Sequence, residues 1–270
     1  GVELIMSLYT KIIDLQKLTT AWQKVRKNKP AAGADHITCE QFEANQREEL
    51  KQLNLDLKEH KYLPVPVKKI MLYKGEKARE IALYSMRDKV VQQSVASELS
   101  KLYDPYFVQG TFAYRSGKSA LQAIDLVGEQ MQSGKWNVLL KLDITKFFDR
   151  IQWPILQSII QKRIREDDVI QLIQKDVQNV SLEDSGELKD KSLGIYQGSG
   201  ISPVLSNIYL MEFDRWLSEK DIFYIRYSDD MLLLGKNKDS MLILLKKIKM
   251  KLQWYGLEIN ENKQILADIN

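Results

Sequence analysis

Three aspartates lie where apolar segments of the sequence end. Asp143 follows the apolar run at 137–142, and Asp229 and Asp230 lie at the centre of the apolar hairpin sequence FYIRYSDDMLLLG. Carboxylates that crowd together at strand ends repel one another, so a divalent cation is their natural partner, and oxygen-only ligands favour Mg2+ or Mn2+. Two such ions would stabilise the attacking and the leaving oxygen of a phosphoryl transfer, such as a 3′-hydroxyl and a pyrophosphate. A second interpretation stays open, because aspartate is also common in turns for local hydrogen-bonding reasons.

The segments around these aspartates predict strands mixed with helices. Strands are predicted at 136–144 and on both sides of the Ser-Asp-Asp turn, a basic hairpin at 62–85, and a last strand from 257. Ser116 is the predicted N-cap of the helix at 117–132. One or two short helices are predicted at 3–28, and single helices at 40–60, 86–102, 117–132, 154–165, 203–219 and 238–255. This order predicts an α+β fold with an antiparallel, palm-like sheet backed by helices.

Composition bounds the class of protein. With 270 residues, 44% of them hydrophobic, the chain supports one substantial core or two lobes. A net charge of +4 neither requires nor excludes a nucleic-acid partner. The single cysteine, Cys39, rules out an internal disulfide, and the two separate histidines argue against a structural zinc site. The apolar runs are too short for a secretory or membrane segment, which predicts a cytoplasmic protein without a membrane partner.

Seven segments, in order, resemble reverse transcriptases. LKLDITKFFDRI, YQGSGISPVLSNIYL, YSDD and GLEINENKQIL resemble the first aspartate motif, the Gln-Gly motif, the Tyr-x-Asp-Asp motif and the lysine motif that follows it. Upstream, AWQKVRKNKPAAGADHIT, AREIALYSMRDKVVQQ and GTFAYRSGKSALQAI resemble the early blocks of bacterial group II intron reverse transcriptases. The resemblance covers residues 21–266, nearly the whole chain.

The resemblance implies a polymerase right-hand fold with fingers and palm. The fingers are expected at 1–108, with 151–194 returning to them, and the palm at 109–150 and 195–270. The family continues beyond the lysine motif with a primer grip and a helical thumb. We therefore expect the thumb to be absent and the chain to be a fragment, or a domain of a longer fusion protein, with poor processivity.

The resemblance also assigns metal and acid roles to individual residues. It implies that Asp143 and Asp229 ligate both of two Mg2+ ions, with Mn2+ as a substitute, and that Asp230 has a more peripheral part. The backbone carbonyl of Ile144 would complete one metal shell. Lys263 matches the lysine proposed to protonate pyrophosphate in related polymerases, although an exposed lysine is the commoner explanation in general.

A second set of residues is assigned to the incoming nucleotide. The resemblance implies that Phe148 stacks under the sugar and rejects a 2′-hydroxyl, which indicates deoxynucleotide use, while its neighbour Phe147 is expected in the core. Gln197 and Gly198 would line the nucleotide pocket, where Gly permits close approach of the backbone. Taken alone, a Gln-Gly pair is usually a turn.

Basic residues are assigned to phosphates. Lys74 and Arg79 match the finger residues that hold the triphosphate, although Glu80 stands where the family usually has proline. Arg115 and Lys118 match a basic block that faces template or nucleotide, and such phosphate contacts position a strand without reading its sequence. Solvated basic turns are the alternative explanation for both pairs.

The implied function is RNA-directed DNA polymerisation, with an RNA template, a DNA or RNA primer and dNTPs as partners. The alternatives are an RNA-binding maturase-like module with little polymerase activity, an RNA-directed RNA polymerase, and a palm that serves as a structural partner of an integrase. Ser228, Tyr196 and Gly200 depart from the group II intron pattern. These departures favour a separate branch, such as the CRISPR-associated enzymes that work with the adaptation integrase; retron-like and other defence branches stay open.

Overall fold

The chain forms two compact units, each built from two stretches of sequence. A computed structural model describes residues 6–269. The first unit comprises 1–101 and 160–202, and the second comprises 102–159 and 203–270. The predicted boundaries between fingers and palm lie at 108, 150 and 194, whereas the boundaries between the two units lie at 101, 159 and 202. The assignment of the units to fingers and palm stays a prediction.

The first unit contains short capped helices. Side-chain caps explain where they begin: Ser7 and Asp14 accept hydrogen bonds from backbone amides of the first turn, and Thr38 forms a capping box with Gln41. The segment 3–28, predicted as one or two helices, forms two, and the predicted start at residue 3 lies outside the described residues. The predicted helix 40–60 is divided in two at Asn45, whose side chain makes no capping hydrogen bond. The helices of this part are α1 Leu8–Ile13, α2 Leu15–Lys27, α3 Cys39–Ala44, α4 Gln46–Lys58, α5 Met86–Tyr103 and, after two helices of the second unit, α8 Asp167–Val177.

The sheet of the first unit contains the predicted basic hairpin. Its strand order is β2 (Lys77–Leu83), β1 (Val67–Lys74), β4 (Ser181–Leu182) and β5 (Leu188–Lys189). β1 and β2 are antiparallel and pair Lys74 with Lys77, so two residues form the turn. The first of them, Gly75, has φ +65°, which glycine adopts without steric strain.

The sheet of the second unit is fully antiparallel. Its order is β6 (Phe223–Tyr227), β7 (Asp230–Gly235), β3 (Val138–Asp143) and β8 (Ile265–Asp268). Side chains alternate along β3, with Val138, Leu140 and Leu142 buried, as expected for a strand with one face on a core. The predicted antiparallel sheet is confirmed.

Helices cover this sheet. The helices of this part are α6 Ala120–Gln132, α7 Trp153–Gln161, α9 Ser202–Tyr209, α10 Met211–Ser218 and α11 Lys238–Trp254. α11 packs on β3 and β7 with one buried stripe, and α6 and α10 pack on β6. The predicted α+β class, a sheet backed by helices, is therefore confirmed. Within the described residues, no helix is both long enough and apolar enough to cross a membrane.

Three local predictions were wrong. The N-cap of α6 is Ser119 rather than Ser116, because Ser119 and Gln122 form a reciprocal capping box. The predicted helix 203–219 is two helices that meet at Leu210. The last strand begins at 265 rather than 257, and only an isolated bridge between Ile144 and Ile259 forms in the earlier segment.

Candidate active site

The register of the second sheet brings the three aspartates together. β3 and β7 pair so that Asp143 lies directly opposite Asp230, and the Ile144 amide donates to the carbonyl oxygen of Asp229 at 2.9 Å. One carboxylate oxygen from each of Asp143, Asp229 and Asp230 can be chosen so that the three lie within 4.8 Å of one another. The Asp143 side chain is only 13% exposed, Asp229 is half-buried and Asp230 is exposed. Like charges directly opposite each other destabilise a sheet, so this arrangement favours a bound cation.

A two-residue turn presents Asp229. Tyr227 pairs with Asp230 across the hairpin, which leaves Ser228 and Asp229 as the central residues. Ser228 has φ +58°, while Asp229 is not among the residues with positive φ. This pattern is typical of a type II′ turn, whose first central residue is usually glycine. The turn that carries Asp229 therefore holds Ser228 in a backbone conformation that is energetically unfavourable for serine.

Burial and mutual repulsion raise the pKa of two of these carboxyls. The pKa of Asp143 rises to about 6, first because the group is buried, then because of its hydrogen bond with Asp230 and the charge of Asp229. Burial followed by the charge of Asp230 also raises the pKa of Asp229. The donor set consists only of carboxylate oxygens, which is the ligand chemistry of hard divalent cations. The residues therefore fit a divalent metal.

The segment after Gly256 places Lys263 beside this cluster. The Asn260 amide donates to the Asp143 carbonyl oxygen at 2.7 Å, and the Thr145 amide donates to the Glu258 carbonyl oxygen at 2.9 Å. A short 3-10 turn then ends at Lys263, whose Nζ lies 3.9 Å from Asp143 Oδ2. The lysine is 67% exposed and lowers the pKa of Asp143.

The two adjacent phenylalanines differ in burial. Phe147 is 3% exposed, which confirms its predicted place in the core, and Phe148 is half-buried. Their rings meet edge to face with centroids 5.7 Å apart. The role of Phe148 in sugar selection stays a prediction.

Arg115 and Lys118 are engaged in contacts within their own loop. Arg115 forms an ion pair with Asp104 at 2.9 Å and donates to the carbonyl oxygens of Val108 and Thr111. Lys118 Nζ donates to a backbone carbonyl oxygen at 2.6 Å and lies over the Phe112 ring at 4.3 Å. Arg115 therefore organises this loop, and nucleic-acid contacts by either residue stay a prediction.

The remaining predicted residues lie in the first unit. Lys74 and Arg79 are exposed on the β1–β2 hairpin. Gln197 and Gly198 are exposed in a loop that lies against β2: Gly198 has φ +110°, and a Cβ there would meet the Ala82 carbonyl oxygen at 3.1 Å. Backbone conformation and close packing both require glycine at 198.

A cluster of buried polar side chains holds this loop in place. The Asp176 carboxylate accepts hydrogen bonds from Ser199 Oγ at 2.7 Å and from Gln92 Nε2 at 3.0 Å, and Gln92 Oε1 accepts from the Gly200 amide at 3.1 Å. Burial raises the pKa of Asp176 to about 6, and the charge of Asp88 adds to the shift. Sequence reasoning missed Asp176; its available signal was an acidic residue among the buried positions of the amphipathic helix α8.

Sequence reasoning also missed a fully buried ion pair near the turn that carries Asp229, between Arg226 of β6 and Asp214 of α10. Its signal was an arginine inside the apolar strand FYIRY. In all, the structure brings Asp143, Asp229, Asp230 and Lys263 together in the second unit, with Ile144 adjoining them.

The chain combines a mixed α+β fold with carboxylates at a strand end and in a hairpin turn. Comparisons with known proteins identify the family that has this combination. The family described as reverse transcriptase (RNA-dependent DNA polymerase) matches residues 68–267, and the chain belongs to that family. The group II intron-encoded protein LtrA of Lactococcus lactis subsp. cremoris is 27% identical over 232 residues, which are 85% of this chain and 38% of that protein. The putative COX1/OXI3 intron 2 protein of Saccharomyces cerevisiae is 27% identical over 210 residues, 77% of this chain and 24% of that protein.

Solved structures show the same fold at lower identity. A telomerase from Candida albicans, solved with a fragment of telomeric RNA, aligns with a TM-score of 0.58 and 15% identity, covering 76% of this chain and 43% of the telomerase. This likeness concerns the fold alone. The chain spans 24% to 38% of the length of the two curated relatives described above.

Proposed function

We propose that this chain is the catalytic core of an RNA-directed DNA polymerase that adds dNTPs to a primer 3′-hydroxyl. The observation that carries the proposal is the cluster of Asp143, Asp229 and Asp230, each of which offers one carboxylate oxygen within 4.8 Å of the other two, in a chain of the reverse transcriptase family. The family description, RNA-dependent DNA polymerase, supports an RNA template, and the primer would be DNA or RNA.

Asp143 and Asp229 would hold two Mg2+ ions, and Asp230 and the backbone carbonyl of Ile144 would complete the set of donors. Mn2+ would substitute for Mg2+. Such ions stabilise the attacking oxygen of the hydroxyl and the leaving oxygen of the pyrophosphate. Lys263, whose ammonium lies 3.9 Å from Asp143, is suited to give a proton to the leaving group. Its exposure leaves the ammonium open to an approaching phosphate.

The nucleotide assignments extend the same proposal. Phe148, half-buried beside the core residue Phe147, would exclude a 2′-hydroxyl and make the product DNA. Lys74 and Arg79 would bind the triphosphate, and Gln197 and Gly198 would line the nucleotide pocket. Arg115 and Lys118 would contribute to nucleic-acid binding, with Arg115 acting mainly through the loop that it organises.

Primer extension tests the proposal. The protein is incubated with a primed RNA template, Mg2+ and either dNTPs or NTPs, and is compared with Asp229→Ala and with the exposed, matched Asp221→Ala in the same unit. Extension with dNTPs that disappears in Asp229→Ala and persists in Asp221→Ala is the expected result. Extension that survives in Asp229→Ala would contradict the assignment of the site.

The alternatives give different results in the same assay. An RNA-binding, maturase-like module would bind structured RNA but would extend no primer. This result would also hold when the whole natural protein is assayed. An RNA-directed RNA polymerase would prefer NTPs. Either outcome would replace the proposal.

We also propose that the chain belongs to the CRISPR-associated branch and acts with an adaptation integrase to acquire spacers from RNA. Ser228, Tyr196 and Gly200, which depart from the group II intron pattern, support this branch. Co-elution with the integrase encoded beside it, measured by size-exclusion chromatography with purified proteins, is the expected result. The absence of such a neighbouring gene, or separate elution, would refute it.

A further inference from the structure

A buried arginine fork lies next to the turn that carries Asp229. Arg226 is the fourth residue of β6, and its side chain and that of Asp214 on α10 are 0% and 1% exposed. Arg226 Nε donates to Asp214 Oδ1 at 2.8 Å, and Nη2 donates to Asp214 Oδ2 at 2.7 Å. This two-bond geometry is specific to guanidinium and carboxylate and fixes both planes.

Two further side chains donate hydrogen bonds to Asp214. Tyr224 Oη donates to Asp214 Oδ1 at 2.6 Å, and Thr111 Oγ1 donates to Asp214 Oδ2 at 2.8 Å. The main chain of Arg226 is also fixed, because its amide donates to the Gly110 carbonyl oxygen at 2.8 Å. A buried ion pair is often no more stabilising than apolar residues of similar size in the same place. Stability alone therefore does not explain why this pair is present.

One bond of the fork leaves the pair and reaches the turn. Arg226 Nη1 donates to the Ser228 carbonyl oxygen at 2.9 Å. Ser228 is the residue with φ +58°, and its carbonyl belongs to the peptide that joins it to Asp229. A non-glycine residue in the left-handed region is disfavoured by about 1 kcal/mol or more, so the turn needs a contact that holds it.

We propose that Arg226 is a positioning residue: held by Asp214, it fixes the Ser228 peptide so that the Asp229 carboxylate stays within reach of Asp143. This inference deepens the proposed function and rests on it. The arginine contacts no reacting atom. It acts by orienting one peptide of the metal-binding turn, as outer residues orient the ligands of other metal sites.

Arg226→Lys is the decisive variant, because lysine keeps a positive charge beside Asp214 but cannot make the fork and reach the Ser228 carbonyl together. Arg215→Lys is the matched control, since Arg215 lies on the same helix as Asp214 and is exposed. Mn2+ alone is the binding probe, measured from the electron paramagnetic resonance signal of the free ion. Asp229→Ala defines which Mn2+ binding belongs to this site.

We expect Arg226→Lys to fold and to bind Mn2+ about tenfold or more weakly, while Arg215→Lys binds like the wild type. Primer-extension kcat should fall by a similar factor, with the KM for dNTP nearly unchanged, because the turn and not the nucleotide pocket has moved. A second substitution, Ser228→Gly, should restore several-fold of both losses in Arg226→Lys, since glycine adopts positive φ without the carbonyl contact. General destabilisation would not produce this selective rescue.

A folded Arg226→Lys protein with wild-type Mn2+ affinity would overturn the inference, as would a loss that Ser228→Gly leaves unchanged. If Arg226→Lys does not fold, Arg226→Met combined with Asp214→Asn removes both buried charges together, and the same Mn2+ loss and rescue are expected. If wild type binds Mn2+ through Asp229 but extends no primer, the proposed function fails while the positioning role is still decided by the Mn2+ affinities.

Discussion

Replacement of Asp176 by asparagine should change how the stability of the protein depends on pH. The buried Asp176 carboxylate accepts hydrogen bonds from Ser199 and Gln92, and burial raises its pKa from 3.8 to about 6. Because the folded pKa lies above the unfolded one, this group stabilises the fold fully at pH values below the unfolded pKa. That stabilisation is lost as the pH rises through the folded pKa of about 6.

The magnitude follows from the shift. One pKa unit corresponds to about 1.4 kcal/mol, so the full change is about 3 kcal/mol, of which about 1.4 kcal/mol falls between about pH 5 and pH 8. Asparagine has no such titration and keeps an acceptor for Gln92 and a donor for the Ser199 hydroxyl. Relative to wild type, Asp176→Asn should therefore gain about 1.4 kcal/mol of unfolding free energy over this range.

Urea unfolding at several pH values between about 5 and 8 measures this difference. The buried Asp88, whose pKa burial also raises, is present in both proteins, so the effect of its burial cancels and only its charge interaction with Asp176 differs between them. Asp190→Asn, which removes an exposed carboxylate in the same unit, is the matched control. A free-energy difference between wild type and Asp176→Asn that stays constant with pH would refute the reasoning.

Three further outcomes are expected. Phe148→Ala should raise incorporation of NTPs relative to dNTPs about tenfold, measured as the ratio of kcat/KM values; an unchanged ratio removes its assigned role. Asp230→Asn should raise the melting temperature in EDTA by about 2 °C by relieving repulsion, and this gain should disappear in saturating Mg2+. Gly198→Ala should lower the unfolding free energy by about 1–2 kcal/mol in urea titrations, because its φ of +110° and the Ala82 carbonyl exclude a side chain; equal stability would contradict this.

The sequence predicted those parts of the fold and site that depend on local patterns. β3 and the β6–β7 hairpin were predicted from apolar strands with turn residues between them, whereas the register that pairs Asp143 with Asp230 comes from the structure. Local patterns placed Asp143 at a strand end and Asp229 in a turn, and the ordered resemblance to a known family, rather than those patterns, grouped them into one site. The basic hairpin at 62–85 was predicted for the same reason, since Lys74-Gly75 marks its turn.

One local signal was overlooked: Gln122, three residues after Ser119, marks a capping box that Ser116 lacks. Features that depend on distant partners were not predictable. Arg226 and Asp214 lie on different elements, and nothing local indicates that one side chain faces the other. Asp176 was missed in the same way, because Gln92 and Ser199 come from distant segments of the chain.

The place of β3 in its sheet has a consequence for biosynthesis. β3 is a central strand, yet both strands that flank it, β7 and β8, come later in the chain. A ribosome must add about 120 residues after Asp143 before β8 is made, which takes on the order of 10 s. Both edges of the apolar strand are unpaired until β7 is made, and the edge that β8 covers stays unpaired until the end of that interval, a situation in which nascent chains aggregate or recruit chaperones. Slow pairing of distant strands is therefore expected to limit the yield of folded protein more than its final stability does.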